Sequence, residues 1–191
     1  MALFMSGRRL RARWRRWERR LIFMAGAFVV GLAAVGLAEA ADEVQDLFGL
    51  IQTRWPYAAF AMTPIGFGLS AWLVRNVFPN TQGSGIPQAI AARSFSTPEE
   101  RRRFVSLRAA VGKVLLTLLG LFVGASVGRE GPTVQVGASV MFEAGRLAPR
   151  RQSGLILAGA AAGVAAAFNT PLAGIVFAIE EVSRSFEARA S

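Results

Sequence analysis

Two stretches of this chain, residues 21–38 and 55–74, contain no charged side chain at all. Each is long enough for a bilayer-spanning helix, which needs roughly 17 to 25 apolar residues. A water-soluble domain has no use for such segments, and the rest of the composition agrees. Of the 191 residues, 53% are hydrophobic and only 18% charged, against about 25% charged in a typical soluble domain. So much apolar material excludes a solvated, disordered coil. The chain has no cysteine and no histidine, which excludes a disulfide framework, a Cys-ligated metal site and His-based proton chemistry. A polytopic, all-α membrane protein follows.

The later apolar runs have a different form. Residues 152–179 are uncharged but interrupted by Asn169, Thr170 and Pro171, and the runs 114–128 and 131–142 are separated by Arg129 and Glu130. Two spans are complete and the later ones are broken. Broken intramembrane helices are tolerated where their backbone lines a protein-enclosed cavity, and they mark transporter sites.

Residues 1–20 hold Arg8, Arg9, Arg11, Arg13, Arg15, Arg16, Arg19 and Arg20, with Leu10, Trp14, Trp17 and Leu21 at helical spacing. This is a basic amphipathic helix suited to an anionic membrane surface. Nucleic-acid binding is the competing reading, and attachment to a membrane span argues for no nucleic acid. The positive-inside rule places the N-terminus in the cytoplasm. Arg93, Arg101, Arg102, Arg103 and Arg108 return to that side after two spans, whereas Arg146, Arg150 and Arg151 cannot be assigned a side. The Arg block, the apolar run and Ala38-Glu39-Ala40 also resemble a secretory leader with its cleavage site. The run exceeds the usual ~7 to 15 residues of a leader and more spans follow, so a first true span is the expectation. Gly120, Gly124 and Gly128, like Gly159 and Gly163, repeat every fourth residue and predict close helix packing.

Two glycine-rich segments open helices. Gly83-Ser84-Gly85-Ile86-Pro87 precedes one short apolar helix and Gly128-Arg129-Glu130-Gly131-Pro132 another. Proline is tolerated in a first turn because its missing N–H had no acceptor there. A helix start presents unpaired N–H groups and a positive dipole end. Two of them at membrane depth would share a desolvated anion, with the Ser84 hydroxyl as a further donor; plain turns between helices are the alternative. Glu130, an ionisable group in an apolar setting, would itself be favoured by that dipole. It would fill the anion position when charged and leave it when protonated. An Arg129–Glu130 surface pair is the other reading. Glu180 and Glu181 close the last apolar run. Adjacent helical residues point about 100° apart, so no more than one of them can face a pore.

The ordered set formed by these two segments, with Thr133-Val134-Gln135 after the second, then Ala167-Phe168-Asn169-Thr170-Pro171-Leu172-Ala173-Gly174 through Glu180-Glu181, resembles the CLC family of chloride channels and proton-coupled chloride exchangers. The resemblance runs over the whole chain and corresponds to the first inverted-repeat half of a CLC membrane domain. It divides the chain into a cytoplasmic helix, residues 1–20, and a partial membrane domain, residues 21–191.

The resemblance implies a role for each matching position. Ser84, with Gly85 and Ile86, would bind the central chloride, and serine there goes with preference for chloride over nitrate. Gly128, Arg129, Gly131 and Pro132 would form the anion-site loop around Glu130, the external gating and proton-carrying glutamate. Glu181 would be the internal proton-transfer glutamate, where channels of the family usually have a non-acidic residue. Keeping both glutamates favours chloride/proton antiport over a passive voltage-gated-type channel. The partners implied are chloride ion, proton and the lipid bilayer. A homodimer is also implied, with residues 171–185 at the dimer contact.

The sequence departs from the family at Gln88, where many relatives are acidic. The Gly-x-Phe-x-Pro pattern and coordinating tyrosine of the family's second half have no counterpart, since the sole tyrosine, Tyr57, lies beside Trp55 and Pro56 as an interfacial anchor. The chloride site would be incomplete in this half, and a strongly oriented N-terminus opposes completion by an upside-down second copy. A fragment of a longer transporter is the expectation, with a non-conducting half-protein that associates with a partner as an alternative. No nucleophile–base or metal constellation suggests an enzyme, no cofactor is implied, and arginine in place of lysine points to a bacterial inner membrane.

Overall fold

The computed structural model describes residues 3–147 and 152–183; the side chains of residues 3–16, 18, 19, 147 and 181–183 are not described. All regular structure among the described residues is helical. Helix α1 runs without a break from Leu3 to Arg54, about 78 Å at 1.5 Å per residue. It therefore overshoots the expected span, because nothing after Ala38 stops a helix until Pro56. Ala38-Glu39-Ala40 lies inside it, and Ala41 is fully buried. Gly26, Val30, Ala34, Leu37 and Ala41 form its buried stripe, at the three- and four-residue spacing of one helix face. Phe23, Met24, Phe28, Leu32 and Val35 point away, exposed. At the basic end, the Arg20 guanidinium lies over the Trp17 ring, 5.4 Å from its centre.

Helix α2, Ala58–Asn76, is the second complete span. Tyr57 and Trp55 flank it, both exposed, and Tyr57 stacks on Phe60. Then come α3 (Ile86–Ser94), α4 (Pro98–Phe104) and α5 (Leu107–Phe122). Thr97 and Glu100 cap α4 reciprocally, and Ser106 caps α5. Together α4 and α5 make a third stretch, Pro98–Phe122, apolar and long enough to cross. By composition the uncharged run begins only at Val114, because Arg108 and Lys113 lie within α5 and the arginines of α4 precede it.

Helices α6 (Glu130–Ala144) and α7 (Gln152–Phe168) form the centre. Residues 132–139 of α6 are all buried, including Gln135 and Ser139. A Cβ on Gly137 would overlap the Gly159 carbonyl, and one on Gly163 the Thr133 carbonyl. The expected role of Gly159 and Gly163 is thus met: they let two backbones touch. The Gly120–Gly124–Gly128 repeat is not such a seam. Helix α5 ends at Phe122, Gly124 takes a left-handed conformation (φ 87°) just past that end, and Gly128 lies in the loop. A four-residue period means packing only where the helix continues. Helix α7 stops at Phe168, Asn169 turns with positive φ, and α8 (Pro171–Phe177) restarts the chain before a π-helical turn, Ala178–Ser183. Arg150 and Arg151 lie outside the described residues.

Candidate functional site

The Gly83–Gly85 loop turns back into the bundle after α2 and starts α3 there. Gly85 caps α3 at φ 100°, a conformation that glycine adopts without steric cost. Three side chains hold the loop. Lys113 of α5, only 2% exposed, donates from Nζ to the carbonyls of Thr81 and Gly83, the latter at 2.8 Å. Gln88, buried, donates from Nε2 to the Gln82 carbonyl at 2.6 Å. Gln135 of α6 donates to the carbonyls of Asn80 and Phe104 at 3.0 and 2.9 Å. The glutamine that departs from the family pattern therefore braces the backbone of the loop.

The second glycine-rich segment meets the first. A Cβ built on Gly131 would lie 2.5 Å from the Ser84 carbonyl oxygen, and one on Gly85 would lie 3.0 Å from the Gly131 carbonyl oxygen. The starts of α3 and α6 are thus in van der Waals contact across 47 residues of sequence (131 − 84 = 47). Both border one cavity of about 540 Å³, whose lining includes Gly83, Ser84, Ile86, Gly128, Glu130, Gly131 and Pro132. Gly85 is buried behind this surface, and Ile86 is half-buried. First-turn amides of both helices lack intrahelical acceptors and carry the positive dipole end. Their convergence can hold an anion without a formal cation at the ion.

Arg129 does not pair with its neighbour. Its Nη1 donates to Asp42 Oδ1 at 2.7 Å and to the Ala38 carbonyl at 2.9 Å, both on α1. Among the described residues the Glu130 carboxylate makes no hydrogen bond or ion pair, and it folds back over Gly128 at the exposed mouth of the cavity. Glu130 begins α6, and its own carbonyl accepts the Thr133 hydroxyl at 2.6 Å.

The structure does not bring every expected residue here. Glu180 is exposed on the π-helical turn, which packs on α7 and α8, and it is not among the residues that line the cavity. Glu181 falls on that turn, but its side chain lies outside the described residues. Lys113, Thr117 and Ser70 are among the lining residues that the sequence does not single out. Lys113 had a signal, being a charge at the edge of an apolar run. Thr117 and Ser70 had none. Thr117 is buried, and the Ser70 hydroxyl is buried without a hydrogen-bond partner among the described residues.

The fold and this cavity define a class: a multi-pass, helical membrane protein in which two helices, α3 and α6, begin at one cavity. Within that class the chain belongs to the voltage gated chloride channel family, whose pattern matches residues 66–191. It is 37% identical over 172 residues to the H(+)/Cl(-) exchange transporter ClcA of Citrobacter koseri, covering 83% of this chain and 35% of that protein. The proteins of the same name from Salmonella schwarzengrund and Salmonella typhimurium are 35% identical over 179 residues, covering 87% of this chain and 37% of theirs. The chain thus spans a little over a third of the length of these relatives.

Proposed function

We propose that this chain supplies the first half of a chloride/proton antiporter, with chloride bound where the starts of α3 and α6 meet. Ser84, Gly85 and Ile86 present one set of donors. Gly128, Arg129, Gly131 and Pro132 shape the other around Glu130. Glu130 competes with chloride when charged and carries a proton when it leaves, while Glu181 takes the proton at the inner end. The observation that carries this reading is the contact of Gly131 with Ser84 beside an uncommitted Glu130 carboxylate. The exchanger names of the relatives favour it over a passive channel.

In this reading residues 1–20 lie at the cytoplasmic face of a bacterial inner membrane, and residues 21–191 form the membrane half-domain. Leu172, Ile175, Val176 and Ile179 are exposed at three- and four-residue spacing, which suits a homodimer contact along α8 and the turn that follows it.

The test is Glu130→Gln in the natural-length protein, reconstituted in vesicles with an imposed chloride gradient. Chloride flux is expected to persist while uphill proton movement is lost. Proton pumping that survives the substitution overturns the assignment of Glu130. A wild-type protein that passes chloride without moving protons makes it a channel.

A further inference from the structure

A second cavity, of about 440 Å³, lies beyond the Asn80–Thr81 junction, with Asn80 in its wall and Thr81 in the wall of the first. It is built where α2 ends, α5 begins and α6 ends, so a bundle that spans a membrane places it at the membrane–water boundary. Arg102, Arg103, Arg108 and Arg146 all line it. Arg146, to which the sequence assigns no side, thus stands beside the arginines of α4. Among the described residues the one acidic side chain in the cavity is Glu143, which accepts from Arg146 at 3.1 Å. Arg108 spends one Nη2 hydrogen bond on the Val77 carbonyl. Arg102 and Arg103 are exposed, and their guanidinium groups make no hydrogen bond or ion pair among the described residues.

The positive-inside rule accounts for arginines at this end of the chain, but not for four of them around one concave site. Guanidinium groups in that setting match phosphate oxygens, which accept their paired N–H donors. A second feature narrows the source of the phosphate. Leu107, Val111 and Leu115 are all exposed, and their four-residue spacing puts them on one face of α5. That stripe starts in the cavity wall, at Leu107, and runs along the helix away from it. A charged headgroup pocket continuous with an apolar stripe is the footprint of a phospholipid rather than of a free ion.

We propose that this cavity binds the headgroup of an anionic phospholipid, with its phosphate among Arg102, Arg103, Arg108 and Arg146 and an acyl chain along Leu107, Val111 and Leu115. The site is separate from the anion cavity and stands whether or not the antiport reading holds.

The experiment is native mass spectrometry of the natural-length protein released from detergent, after incubation with phosphatidylglycerol, phosphatidylcholine or inorganic phosphate. Phosphatidylglycerol is expected to be retained in preference to phosphatidylcholine, and excess inorganic phosphate should not displace it. Arg102→Gln with Arg103→Gln should weaken that retention roughly tenfold or more. Arg54→Gln, a loss of charge at an exposed position that lines neither cavity, should leave it unchanged. Leu107→Asn, which keeps all four guanidinium groups, should weaken it independently. The proposal is overturned if phosphatidylcholine is retained equally, or if phosphate alone displaces the lipid. It also fails if the double substitution has no effect, or if residues 1–191 bind the lipid while the natural-length protein does not. In the last case the stripe on α5 is covered by the rest of the protein.

Discussion

Gly131 packs so closely on Ser84 that a methyl group in place of its hydrogen would lie 2.5 Å from the Ser84 carbonyl oxygen and 2.9 Å from the Ser84 Cβ. Backbone on one side and a helix start on the other leave no flexible group to move aside. Gly131→Ala is therefore expected to push the two loops apart. Overpacking of this kind costs about 1–3 kcal/mol. Chloride flux by the natural-length protein should fall more steeply than its thermal unfolding midpoint. Wild-type flux would mean that this contact does not set the geometry of the site.

Lys113 holds the Ser84 loop from behind through two backbone carbonyls. Lys113→Met keeps the bulk and removes both donors. The buried Thr81 carbonyl left unpaired costs about 1–3 kcal/mol, so the unfolding midpoint in detergent should drop by several degrees. Unchanged stability would show that water replaces the ammonium group without loss.

The seam between α6 and α7 gives a comparison within one protein. Gly137→Ala sets a methyl group against the Gly159 backbone, whereas a Cβ at Gly36 of α1 meets nothing within 4 Å. Gly137→Ala should destabilise by about 1–3 kcal/mol. Gly36→Ala should be neutral or gain up to about 1 kcal/mol of helix propensity. Urea or thermal unfolding of the pair decides, and similar midpoints would refute the close packing.

Asp42 and Arg129 are joined at 2.7 Å, but their side chains are 63% and 37% exposed. Solvent screening limits such a pair to about 0–1 kcal/mol. Asp42→Asn should therefore scarcely change the unfolding midpoint. Its effect should appear in transport, because Arg129 is then released beside Glu130. A large loss of stability with normal flux would contradict this reading.

What the sequence determined by itself was local. Uncharged runs must face lipid, so residues 21–38 and 55–74 could be read as spans without a structure. Glycine and proline limit where a helix can start, so the openings of α3 and α6 and the break at Asn169–Pro171 were legible as well. The tertiary structure decided what these pieces meet. Nothing in residues 83–87 says that they touch Gly131, and nothing beside Arg129 says that its partner is Asp42, 87 residues away. Nothing beside Lys113 in the chain says that its ammonium group meets the Thr81 and Gly83 carbonyls, about 30 residues away. The even spacing of Gly120, Gly124 and Gly128 looked like a seam until α5 was seen to end. The physical reason is the range of the forces involved. Hydropathy and backbone preference act on neighbours in the chain, whereas a site made of two helix starts exists only once distant segments have packed.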